Sequence, residues 1–93
     1  MDQIVRRNGQ QAAIEVLTSR TDSGALISVD RAATNFHVLD HFDYGGVLIA
    51  VYDRQSPAGS KTLRERFEAA KPKSALLVAD DDAAEFISEK LAS

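Results

Sequence analysis

The sequence predicts one α/β domain over residues 1–93, bordering on α+β, with elements in the order β-β-β-α-β-α-β-α. Three observations lead there. Residues 47–53 and 74–80 are two short apolar runs, each ending in aspartate, on either side of a helical pattern; that is the outline of a parallel β-α-β unit. Asn8-Gly9 is the dipeptide that a tight hairpin selects, because both central residues of its turn need positive φ. The chain is short and has no cysteine, so its core must come from packing alone or be helped by association. A mixed sheet is expected, an N-terminal antiparallel meander joined to the C-terminal parallel unit.

The hairpin turn implies a first strand at residues 2–7, carrying Ile4 and Val5, and a second at 14–19. Gln-Gln-Ala-Ala at 10–13 is also good helix material, which leaves a helix over 10–17 as the alternative. Residues 20–24 read as a turn, and 25–29 as a third strand in which Ile27 and Val29 alternate with Ser28. Their apolar side chains would lie opposite Ile14 and Val16.

Asp30 is placed to cap a helix reaching Phe42, with Ala32, Phe36, Leu39 and Phe42 facing the sheet. Gly45-Gly46 then turns the chain into the central strand at 47–52. The loop at 54–59 leads to Ser60, a helix cap, and to a helix whose stripe is Leu63, Phe67 and Ala70 before Pro72 stops it. The strand at 74–79 follows. Asp82 with Glu85 resembles a capping box opening a last helix, with Ala84, Ile87 and Leu91 inward.

Composition limits function by exclusion. With 44% hydrophobic and 27% charged residues, the chain has the make-up of an ordinary globular domain. The absence of cysteine removes thiol chemistry and thiolate zinc sites. Residues 1–7 lack the apolar stretch of a signal peptide and no run is long enough to span a bilayer, so a cytoplasmic protein without membrane contact is expected. A net charge of −3 speaks against a nucleic-acid partner. The charge is unevenly spread. Residues 54–73 set six basic side chains against two acidic ones, and residues 74–93 set Lys90 against five acids. Two helices neutralising each other would account for that pattern.

The candidate sites follow from the topology. In a β-α-β unit both strands end on the same edge, so Asp53, the 54–60 loop and Asp80 come together where open α/β sheets bind ligands. Two carboxylates could hold a hard cation or supply a base. Asp80, Asp81 and Asp82 are equally what a helix N-terminus favours. Gly59-Ser60-Lys61-Thr62 resembles the end of a phosphate-binding loop. Ser60 separates Gly from Lys, however, and the earlier glycine position holds Arg54, so that motif is not encoded. A looser anion site using Ser60 and Lys61 is the reduced version. Residues 76–81 resemble the first strand and acidic pair of a response-regulator receiver, but the phosphoacceptor strand that should follow is missing.

His37 and His41 share a helix face at a spacing that can chelate a metal, yet no third ligand is evident and no metal centre is expected. No nucleophile sits in an elbow motif, and no cofactor motif is complete.

By elimination the expected function is a non-enzymatic protein-binding module. A small inhibitor or accessory protein of phage or mobile-element type, or an assembly subunit, would fit. The expected contact surface is Arg54, Gln55, Lys61, Arg64 and Arg66, on a conspicuous loop and the helix it enters. The edge of the N-terminal hairpin is a second surface, available for strand pairing or self-association. The alternative is a small-ligand, phosphate or metal-dependent module built on Asp53, Ser60, Lys61 and Asp80.

Overall fold

A computed structural model describes residues 3–92. It contains β1 (Gln3–Arg7), β2 (Gln10–Leu17), α1 (Asp22–His41), β3 (Val47–Tyr52), α2 (Lys61–Ala70), β4 (Ala75–Ala79) and α3 (Ala83–Lys90). A single 3-10 turn, Pro57–Gly59, precedes α2. The four strands form one mixed sheet in the order β1-β2-β3-β4. β1 and β2 are antiparallel, and β2-β3 and β3-β4 are parallel. The α/β architecture, with an antiparallel start and the parallel unit at 47–80, is as the sequence predicts.

One element is corrected. Residues 25–29 are not a strand; they lie inside α1, which starts at Asp22. The meander is therefore a hairpin, and the described order is β-β-α-β-α-β-α. Ala25, Val29, Ala32, Ala33 and Phe36 are buried at helical spacing, a period that a five-residue window of alternating residues cannot reveal. Asp30 consequently sits mid-helix. The cap is Thr21, whose hydroxyl accepts from the Gly24 amide at 3.0 Å. Ile14 and Val16 thus have β3 beside them rather than a strand at 25–29.

The hairpin forms as expected, with Asn8 at φ 56° and Gly9 at φ 77°. Arg7 pairs with Gln10 across this two-residue loop, which starts β2 four residues earlier than expected and rules out the helix over 10–17. Helix propensity at 10–13 yields to burial, since Ala12 and Ala13 are fully covered. Of the expected first strand, residue 2 lies outside the described residues.

Both crossovers, β2-α1-β3 and β3-α2-β4, step the same way across the sheet, so the right-handed rule places α1 and α2 on one face. They touch there: Phe36 and Phe67 meet edge to face with centroids 6.2 Å apart. Beneath them lie Ala13, Leu17, Leu48, Ala50 and Ala75. The opposite face, with Ile14, Ile49, Val51 and Val78, is covered by Phe86 and Ile87 of α3 and by Leu91 just beyond it. β3 is buried on both faces, the reason its sequence is a continuous apolar run.

Three inward assignments are also corrected. Phe42 terminates α1 and is 75% exposed, and Ala70 and Ala84 face solvent. Asp82 makes no side-chain cap to α3, so the capping box does not form; its backbone is already helical there.

Candidate functional site

At the strand-end edge, Asp53 donates its amide to Leu17 O at 3.1 Å and Asp80 donates its own to Tyr52 O at 2.9 Å. The ladders thus run one residue past each strand. Since Tyr52 pairs with Ala79, Asp53 and Asp80 fall side by side, as the topology requires.

Their carboxylates accept from groups of the chain itself. Asp53 Oδ1 accepts from the Gln55 amide at 2.9 Å and its Oδ2 from the Thr18 hydroxyl at 3.3 Å. Asp80 Oδ1 accepts from the Asp81 amide at 3.0 Å. Ser60 caps α2 by accepting from the Leu63 amide at 3.3 Å, the role its sequence position suggested. Lys61 stands apart from the two aspartates: it reaches Glu65 at 3.9 Å and lines a shallow depression of about 370 Å³ with Tyr52, Arg64 and Leu77. Asp53 and Asp80 are brought together, then, and Lys61 is not brought to them. Among the described residues no three His, Cys, Asp or Glu side chains are grouped as a metal site.

The basic surface is largely turned inward on the chain's own acids and carbonyls. Arg54 Nε donates to Asp81 Oδ1 at 2.9 Å, and its guanidinium lies 3.6 Å from Asp82. The hydrogen bond to Asp81 and the charge of that carboxylate push the Arg54 pKa up. Arg64 Nε donates to Gly59 O at 3.1 Å and sits over the Tyr52 ring at 5.1 Å. Arg66 makes a bidentate pair with Asp30 at 2.8 and 3.0 Å, tying α2 to α1. That hydrogen bond holds the Asp30 carboxyl below the usual carboxylate range, against a smaller opposing effect of burial. Gln55 remains exposed. The loop before α2 and the acidic turn before α3 therefore neutralise each other in part, through Arg54. The basic residue of α2 that finds an acid beyond its own helix, Arg66, finds it on α1.

The two histidines are used differently. His37 Nε2 donates to Ala70 O, the last residue of α2, at 2.6 Å. His41 packs edge-on to Phe42 with centroids 5.0 Å apart. Both line a shallow cavity of about 490 Å³ on the outer side of α1, with Thr34, Val38 and Phe42.

Sequence reasoning missed that outer side. Ile27 is 56%, Val38 50% and Phe42 75% exposed. Ile27 and Val38 stand eleven positions apart, and Val38 and Phe42 four. These are helical repeats that put all three on one stripe. Starting the helix at Thr21 rather than Asp30 would have shown it. Also unforeseen is Glu15, 4% exposed beneath α1, whose carboxylate accepts from Asn35 Nδ2 at 2.7 Å. Its acidic character in an apolar strand was the available signal.

Comparison of the chain with protein-family models, with curated proteins and with solved structures finds no match.

Proposed function

We propose that the chain is a non-enzymatic protein-binding module, of the inhibitor, accessory-protein or assembly-subunit kind, and that the outer stripe of α1 is its contact face. The observation that carries this reading is the exposed apolar pair Val38 and Phe42, with Ile27 further along the same stripe beyond Arg31 and Thr34, on a helix anchored to the sheet by its other side. A large aromatic side chain left three-quarters in solvent, beside further apolar residues, is the kind of group that dominates protein interfaces. The surface expected from sequence contributes less, because Arg54, Arg64 and Arg66 are engaged within the chain. Gln55 and Lys61 are left as its outward groups. No helix among the described residues is long and apolar enough to cross a membrane.

The test compares affinity capture by the parent chain with capture by Val38→Asp/Phe42→Asp, circular dichroism serving as the fold control. The reading expects a specific partner that the double variant loses and that Lys61→Ala keeps. The small-ligand reading at Asp53 and Asp80 expects a rise in melting temperature with Mg²⁺ or phosphate, abolished by Asp53→Asn. That result, with no partner captured, would displace our proposal.

A further inference from the structure

The sheet has two outer strands, β1 and β4. β4 offers little to a neighbour, since Ala75 and Ala79 are 0% and 3% exposed. β1 is open: all its residues but Val5 are exposed, Ile4 to 48%. Its free hydrogen-bonding groups follow from the hairpin. A two-residue turn closes on a pair that exchanges both backbone bonds, and here that pair is Arg7 and Gln10. By alternation Val5 and Gln3 also turn their N–H and C=O toward β2, while Ile4 and Arg6 turn theirs outward. Four backbone groups thus line an edge that no strand among the described residues covers.

The side chains along this edge are sorted by face. Ile4 pairs with the core residue Ala13, which puts Ile4 and Arg6 on the face of α1. Val5 packs against the cluster beneath α3, so Val5 and Arg7 take the opposite face. Arg6 makes no hydrogen bond or ion pair among the described residues, and Arg7 bonds the Ser88 hydroxyl at 3.2 Å. Neither guanidinium is matched by an acid.

We propose that β1 is a docking edge for an extended acidic segment of a partner protein, added antiparallel as a fifth strand. The added strand sets one acid beside Arg7 on one face and one beside Arg6 on the other. Apolar residues follow, beside Val5 and Ile4. From its N-terminus the segment therefore runs acid, acid, apolar, apolar. A second copy of β1 does not fit, since it brings two more arginines and no acid within residues 3–7. Arginines that repel another β1 still admit an acidic strand. This edge lies on the sheet and not on the outer stripe of α1, so the two readings can fail independently.

Selection of a displayed library of random short peptides on the immobilised full chain tests the docking. Enriched peptides should carry two adjacent acids followed by two apolar residues. When such a peptide binds, the Ile4 and Arg6 amides should slow in hydrogen exchange, with those of Val5 and Arg7 little changed. Arg6→Glu/Arg7→Glu should weaken the peptide about tenfold or more, and raised salt should weaken it too. Ile4→Pro removes only an outward N–H, which an outer strand tolerates. It should weaken binding with circular dichroism unchanged, and Val38→Asp/Phe42→Asp should leave binding intact. Enrichment of no peptide, enrichment without acids, or unaltered exchange at Ile4 and Arg6 under a bound peptide would overturn the proposal. Self-association of the chain blocked by Ile4→Pro would give the edge to a second copy instead. Peptide binding lost on Val38→Asp/Phe42→Asp in a folded chain would also overturn it, and would leave the α1 contact face standing.

Discussion

Asp53 shows how one residue can look catalytic in sequence and act as a brace in the fold. Its position at the end of β3, beside Asp80, was legible from a strand pattern ending in acid. Its use was not, because Thr18 lies just past the end of β2, thirty-five residues earlier, and no linear pattern links the two. The loop it braces is tight. Gly59 N–H donates to Ser56 O at 3.0 Å, and a β-carbon added at Gly59 would fall onto the Asp53 carbonyl and come within 3.1 Å of the Arg54 α-carbon. Both neighbours are backbone, which cannot swing aside as a side chain would. We expect Gly59→Ala to cost about 1–3 kcal/mol, the usual range for overpacking. The urea midpoint reads it, and an unchanged midpoint would mean that the 54–59 loop relaxes without strain.

At the scale of the element, α1 is where sequence and structure part. The run at 25–29 has β-branched residues and a short alternation, which suit a strand locally. The chain around it needs something longer. β2 and β3 are parallel neighbours, and a parallel pair requires a crossover long enough to return the chain to the starting edge. Twenty residues of helix, spanning about 30 Å, supply that return. The constraint is tertiary, so it was invisible at 25–29 until β2 was known to adjoin β3. Thr21 then carries the helix start, with Ser19 Oγ accepting from the Thr21 amide at 3.2 Å to hold the cap in place. Thr21→Ala should destabilise the fold by about 1 kcal/mol. Thr21→Ser should retain most of that, which separates loss of the cap from loss of packing in thermal or denaturant melts.

For the whole molecule, the two faces of the sheet are held unequally. The α1–α2 face is closed by two helices joined to each other through Phe36 and Phe67 and through Asp30 and Arg66. The second face depends on α3, an eight-residue helix with no buried residue of its own and no side-chain N-cap. Its hold is concentrated just past its end. Leu91 is fully buried, and Asn8 Nδ2 donates to Leu91 O at 3.2 Å, linking the C-terminus to the hairpin turn. Arg7 adds a hydrogen bond to Ser88 at 3.2 Å. The presence of a last helix and the inward place of Leu91 could be read from helical spacing. That Asn8 would meet Leu91 could not, since nothing in the sequence relates a turn at one end to a helix at the other. A unit fastened at so few points should open before the parallel core does. Amide hydrogen exchange is expected to show α3 losing protection first and β3 last. Leu91→Ala, leaving a cavity under α3, should cost about 2–5 kcal/mol in global stability if α3 and the sheet unfold together. The same substitution should speed exchange in α3 far more than in β3 if they do not. Equal protection in α3 and β3 in the parent chain would show instead that the second face is held as firmly as the first.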